Sequence, residues 1–206
     1  MKKQLKNIDD FNPFVKLLTS DDKYIISNFN AGTDNFAFTE FIKKQAELDM
    51  NNGDGVTYLI IDKKENGDNI LVAYYTISTG SINIIDRYDF EDNQIPESDK
   101  REHFSPVSAF YINMFAVSDD YQDSIFEGKL ISGLILKNII NELLEMSFSV
   151  IGAKSIILCA VPKAVRFYKI NGSFRELESK YTILDKIDVS GNVPMQLVLH
   201  KNTLLE

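Results

Sequence analysis

The chain of 206 residues has no tryptophan, a single cysteine, two histidines and five prolines. It also lacks any apolar run approaching the roughly 18 to 20 residues that a membrane span needs. The lone Cys159 excludes an internal disulfide. It sits in the apolar run from Ser155 to Ala160, which reads as a buried strand and favours an inert core thiol over a nucleophile. His103 and His200 stand far apart, without Cys, Asp or Glu at ligand spacing, so the pattern builds no metal site. The N-terminus, MKKQLKNIDDF, has early lysines but no apolar segment of the kind a secretory signal carries, which points to a cytoplasmic protein. Positive charge is scarce: 22 Lys and Arg against 30 Asp and Glu leave a net charge of -8. That balance argues against broad attraction to nucleic acid or anionic lipid, and leaves room only for a local basic groove.

What is present suits a globular core. With 44% apolar and 25% charged residues, and with no linker, repeat or low-complexity tract, residues 1–206 read as a single domain. Phe14 to Leu18 reads as a short strand, and Ser20-Asp21-Asp22-Lys23 as a helix start. From Asp34 to Asp49 apolar residues recur mostly every three or four positions, which predicts an amphipathic helix with Lys43 and Lys44 on its wet face. Val56 to Ile61 and Ile70 to Ile77 read as an antiparallel hairpin, whose Asn66-Gly67 pair can adopt the positive φ angles of a tight turn. Residues 86–103 are charge-rich and read as a solvated loop, with a lid or docking segment as the alternative.

Ser108 to Val117 is nearly all apolar and predicts a central strand. The stretch from Leu130 to Met146 predicts the longest helix, its buried stripe opposed by Lys129, Gly133, Lys137, Asn141 and Glu145. A strand over Ser155 to Ala160, a short helix over Lys163 to Asn171 and a strand over Val193 to His200 complete an α/β chain. The hairpin and the strand-helix-strand crossover together imply a mixed, twisted sheet flanked by helices.

The segment from Ser108 to Phe174, with SAFYINMFAVSDDYQ, a long helix, IILCA and then RFYKINGSF, resembles the GNAT acyltransferases. Upstream, NFAFTEFIKKQA and LVAYYTIST resemble the branch that contains toxins acetylating aminoacyl-tRNA. The resemblance spans about Phe29 to His200 and implies a GNAT-like acyl-CoA N-acyltransferase fold with acetyl-CoA as co-substrate. By resemblance, backbone groups around Phe115, Ala116 and Val117 hold the pantetheine arm where that strand splays from Ser155 to Ala160. The family binds the pyrophosphate in a glycine loop, Gln/Arg-x-x-Gly-x-Gly/Ala, at the start of the long helix. Gln122 aligns with its first residue, with Gly128 and Lys129 following.

Ile125 and Glu127 then occupy the two glycine positions, so the phosphate loop is degenerate. Ser124-Ile-Phe-Glu127 also fits a capping box, which predicts a helix running from Ser124 to Met146 that satisfies its own end. A carboxylate there would oppose a phosphate by about 4 kcal/mol at 4 Å for an effective dielectric near 20, and half of that still costs more than a decade in affinity for acetyl-CoA. The alternative is a shifted register, in which Gly128 takes the glycine's place and Glu127 faces solvent.

Tyr168 matches the tyrosine of the family's FYxxxGF element, which the resemblance implies protonates the departing CoA thiolate. The element here carries an extra Ser173 before Phe174. The other reading of Tyr168 is a half-buried aromatic with a bonded hydroxyl. No general base stands out, since no acidic residue lies between Ile70 and Ile85. Asp119 and Asp120 suit a solvated loop better than an acceptor site. Lys163, Arg166 and Lys169 suit a wet helix face or, in the tRNA-acetylating branch, a phosphate-backbone contact. The expected function is acetyl transfer to an amine-bearing acceptor of open identity, tRNA being the one nucleic acid in view. The alternative is a catalytically degenerate GNAT-fold binding or regulatory protein, and the sequence leaves the oligomeric state open.

Overall fold

The computed structural model describes residues 5–86, 94–100, 103–177, 181–183 and 191–199. Contacts divide the chain into two compact units, Met1–Ser78 with Ile112–Ile140, and Thr79–Tyr111 with Asn141–Glu206.

In the first unit β2 (Pro13–Leu17) pairs antiparallel with β3 (Val56–Lys63), and β3 pairs antiparallel with β4 (Asn69–Asp86). The β3–β4 hairpin forms as predicted, with a different turn. Gly67 N–H donates to Lys64 O at 2.9 Å, and Gly67 has a φ of 87° while Asn66 stays at negative φ. A single left-handed glycine closes the loop, and the Asn66 side chain accepts from Asp68 N–H at 3.0 Å. The register shifts between Ile60 and Ile61, which oppose Ala73 and Leu71 and leave Val72 as an extra residue. This bulge resets the alternation of β4. Leu71 and Tyr74, three apart, consequently share one buried cluster with Leu59 and Ile61.

That cluster is roofed by the helical segment between β2 and β3. The Asp22 carboxylate accepts from Thr19 N–H and Oγ1, each at 2.9 Å, and pairs with Lys16, so the entry to α1 (Lys23–Ser27) is fixed as Ser20-Asp21-Asp22 suggested. The predicted amphipathic helix forms as α2 (Phe36–Glu40), a π segment (Phe41–Gln45) and α3 (Ala46–Asn52), with Lys43 and Lys44 exposed. Tyr74 Oη donates to Phe38 O at 2.6 Å just before the helix widens, which anchors the segment on the sheet. Phe36 and Leu48, counted in its apolar stripe, are exposed.

In the second unit the outer half of β4 pairs antiparallel with β10 (Tyr181–Ile183) and neighbours β5 (His103–Val117). Beyond β5 come β8 (Ser155–Ala160), β11 (Val193–Val198) and β9 (Arg175–Glu176), the last two pairs antiparallel. Ile82, Ala109, Tyr111 and Ile157 form one of its buried clusters. The Tyr111 ring closes on Gly80, where a Cβ would fall 2.2 Å from Cε2, and its hydroxyl donates to Ser81 O at 2.7 Å. The helix joining β5 to β8, labelled α5 below, runs Ile131–Ser149 and starts later than either sequence boundary. Gly133, assigned to its wet stripe, is buried. Cys159 is half-buried rather than sealed in the core. Of the charge-rich stretch, residues 94–100 form turns; 87–93 and 101–102 lie outside the described residues, as does His200. Among the described residues no helix is long and apolar enough to cross a membrane.

Candidate active site

β5 ends with Ala116 and Val117 buried and Phe115 half-buried. The chain leaves it through two backbone tethers. Ser118 N–H donates to the carbonyl of the bulged Val72 at 2.7 Å, and Asp119 N–H donates to Asn30 O at 2.8 Å. A single helical turn follows, α4 (Asp119–Gln122). Gln122 Nε2 folds back to donate to Val117 O and to Ala31 O, both at 2.9 Å. A side-chain amide nitrogen has two protons, so both are spent. Gln122 thus clamps the last carbonyl of β5. Gly32 permits the close approach: its φ is 90°, and a Cβ there would stand 3.1 Å from Asp119 Oδ1.

The segment expected to open the long helix is a β-hairpin. β6 (Ser124–Phe126) pairs antiparallel with β7 (Lys129–Leu130), through a two-residue turn in which Glu127 has φ 48° and Gly128 φ 76°. Two successive positive φ angles are those of a type I′ turn, the form whose twist matches a hairpin. On its other side β6 pairs parallel with β1 (Lys6–Asn7). The capping box is therefore not formed. Buried Ser124 donates its hydroxyl to Asp120 O at 2.9 Å, while Glu127 is exposed at the turn, ahead of the helix that begins at Ile131. A capping box looks only three residues ahead, whereas this backbone has strand partners on both sides. Ile125 and Glu127 do not stand in a glycine cradle, and Gly128 serves its φ angle, since nothing lies within 4 Å of a Cβ built on it. A type I′ hairpin thus stands where the family's glycine loop was expected.

A buried carboxylate beneath this turn escaped the sequence reading. Asp62, with no exposed surface, accepts from Asn12 N–H at 2.9 Å and Tyr121 Oη at 3.1 Å, and pairs with Lys64 Nζ at 2.5 Å. Lys64 also donates to Asp10 O at 2.9 Å. Burial, then the Asp62 charge, raise the Tyr121 pKa well above that of a free phenol, which keeps it a donor. Phe11 packs against Tyr121 and edge-on to Phe126, at 6.3 and 5.6 Å between ring centres. The available signal was an acid inside the apolar strand VTYLIIDK, where a charge needs partners.

In the second unit, a 3₁₀ turn (Pro162–Ala164) leads into α6 (Val165–Gly172), close to the predicted bounds. Tyr168 on α6 is 8% exposed, and its ring meets Phe167 and Phe174 edge-on at 5.3 and 5.9 Å. Among the described residues none hydrogen-bonds its hydroxyl. Burial alone pushes its pKa well above the ordinary 10.0, so the phenol is held protonated. Ser173 takes the left-handed C-terminal position at φ 56°. The inserted residue is thus absorbed by the turn after the tyrosine. Lys163, Arg166 and Lys169 are exposed; Lys169 pairs with Glu176 at 2.6 Å.

No protein-family model matches the chain, and no curated protein does. Solved structures do. A structure described as a bacterial toxin shares 19% identity over 92% of this chain and 92% of that one, with a TM-score of 0.62. A tyrosine-to-phenylalanine mutant of the toxin AtaT, bound to the C-terminus of the antitoxin AtaR and acetyl-CoA, shares 16% over 90% of this chain and 92% of that one, at 0.60. AtaT complexed with acetyl-methionyl-tRNA shares 15% over 91% and 95%, at 0.59. At such identities the likeness is one of fold. The chain has a GNAT-like fold, the one expected from the sequence, and shares it with these toxin structures.

Proposed function

We propose that the chain is a GNAT-fold N-acyltransferase, acting as one cytoplasmic domain, that moves an acetyl group from acetyl-CoA to an amine by direct attack. The observation that carries this reading is Tyr168, whose ring is buried while its hydroxyl has no partner among the described residues. A tyrosine used only for packing commonly bonds its hydroxyl. Acetyl-CoA supplies the activated acyl group. The backbone of Phe115, Ala116 and Val117 lines its arm, Gln122 fixes the end of that strand, and Gly128 and Lys129 flank the pyrophosphate ahead of α5. The neutral amine nitrogen bonds to the thioester carbon, the carbon–sulfur bond breaks, and the sulfur takes its proton from Tyr168 Oη; the proton lost by the amine passes to water, and Tyr168 regains one from solvent. Burial suits the phenol to this role, because it holds the acid in its protonated form.

Calorimetric titration with acetyl-CoA at low and moderate salt tests the reading. Micromolar binding is expected, and no binding at millimolar ligand would overturn it. That second outcome is what a fold-retaining binding or regulatory protein predicts, a reading favoured by one observation: a type I′ hairpin stands where a glycine loop was expected. For the acceptor, the α-amine of an aminoacyl-tRNA is the first to assay, since AtaT has been solved with acetyl-methionyl-tRNA. Lys163 and Arg166 are exposed and without partners among the described residues. A tRNA acceptor predicts affinity that falls steeply with salt, and growth arrest on expression that Tyr168→Phe abolishes.

A further inference from the structure

We propose that Asp62 is a positioning residue for acetyl-CoA, acting through Tyr121 to hold the turn whose Gln122 amide fixes the last carbonyl of β5. This rests on the acyltransferase reading above. The links are contiguous and short. Asp62 Oδ1 accepts from Asn12 N–H, while Oδ2 pairs with Lys64 Nζ and accepts the Tyr121 hydroxyl at 3.1 Å. Tyr121 belongs to α4, where its own N–H and that of Gln122 both donate to Ser118 O, at 2.8 and 3.1 Å. From the same turn Gln122 Nε2 reaches Val117 O and Ala31 O.

Fold stability is a poor reason for this arrangement. A buried ion pair seldom stabilises more than well-packed apolar residues of the same volume, because desolvation offsets the Coulomb gain. What a charge-assisted hydrogen bond adds is direction: it selects one orientation of the donor where apolar packing tolerates several. Four-residue turns have little stability of their own. α4 therefore takes its orientation from Tyr121, and Gln122 takes its position from α4. Because Tyr121 is buried and faces a carboxylate, its phenol stays a donor through the neutral range. Phe11, packed on Tyr121 and Phe126, leaves the ring little room to turn away.

The test is acetyl-CoA titration of the full chain and of Tyr121→Phe and Asp62→Asn, with thermal melting and amide hydrogen exchange on each. Tyr121→Phe keeps the ring and removes only the donor. It is expected to weaken acetyl-CoA binding by about tenfold and to speed exchange at residues 119–123, as loss of a hydrogen bond to a charged group implies. Asp62→Asn, whose single amide oxygen can still accept the phenol while its amide nitrogen turns to the Asn12 N–H, is expected to lose less affinity. If Tyr121→Phe and Asp62→Asn melt lower but bind acetyl-CoA as the parent chain does, Asp62 is an anchor of the fold and the proposal is overturned. If the parent chain itself does not bind, the acyltransferase reading fails, and the positioning role fails with it.

Discussion

Two junctions leave neighbouring strands of the fold, one after β5 and one after β8, and they are held in opposite ways. After β8 everything needed lies within a dozen residues: Pro162 at the start, the apolar positions of α6, and Ser173 in the left-handed position at its end. After β5 the partners are remote. Gln122 bonds a carbonyl 91 residues upstream, Tyr121 bonds Asp62 59 residues upstream, and β6 pairs with β1. The difference teaches that a local motif decides structure only where no distant partner outcompetes it. Ser124-Ile-Phe-Glu127 is a valid capping box that lost to strand pairing.

The largest effect is expected at the root of the remote network. Asp62→Ala strands Lys64, the Asn12 N–H and the Tyr121 hydroxyl without their acceptor, and should cost about 3 to 5 kcal/mol in a urea titration, as loss of one partner of a buried pair does. A loss under about 1 kcal/mol would mean that the β5 junction is held by its local turns after all, and the contrast with β8 would collapse. Next comes Tyr168→Phe at the local junction. It should slow acetyl transfer by about a hundredfold while changing stability by less than about 0.5 kcal/mol. It has a second signature at alkaline pH. With its pKa raised in the folded state, Tyr168 stays protonated after the unfolded chain has lost that proton, so the unfolded state binds fewer protons and stability falls as pH rises above 10.0. The slope is about 1.4 kcal/mol per pH unit for each such tyrosine. Tyr168→Phe should remove one tyrosine's share of it, leaving those of Tyr74, Tyr111 and Tyr121, which are raised in the same direction.

The same contrast explains what was legible in the sequence. β2, β3, β8, β11 and α6 all fall within a few residues of their predicted bounds, because alternation, apolar runs and a Pro start are written locally. The placement of Tyr168 on that helix was legible for the same reason, since the motif and the helix coincide. The hairpin of β6 and β7 was not, because Glu127-Gly128 is an unusual type I′ pair whose first residue is seldom left-handed, and because β1 is a two-residue strand with exposed side chains that carries no apolar signal. Asp62 was illegible for a different reason. It stands just past the predicted strand end at Ile61, and which donors meet it depends on the fold.

Glu127→Asn sharpens the point at the hairpin itself. Asparagine tolerates the left-handed region far better than glutamate, and Asn-Gly is the preferred type I′ pair. Thermal or denaturant unfolding should show a gain of about 1 kcal/mol if the turn at φ 48° and 76° is what the chain adopts. A loss instead would restore the capping box, which needs the Glu127 carboxylate.

Ser173→Gly carries the smallest effect and the finest test of the local junction. Ser173 holds φ 56° at the end of α6, and its N–H donates to Tyr168 O as the helix closes. A residue with a Cβ pays about 1 kcal/mol or more for that conformation. Glycine relieves the strain but adds freedom to the unfolded chain, worth about 0.4 to 1 kcal/mol in the opposite sense. The net gain is therefore expected near 0.5 kcal/mol. Its value lies in what should not change: if the extra residue is absorbed after the tyrosine, Ser173→Gly raises the melting temperature slightly and leaves the rate of acetyl transfer where it was. A variant that melts higher but transfers at a different rate would show that Ser173 sets the pose of Tyr168, and the junction after β8 would then depend, as the one after β5 does, on more than its own helix.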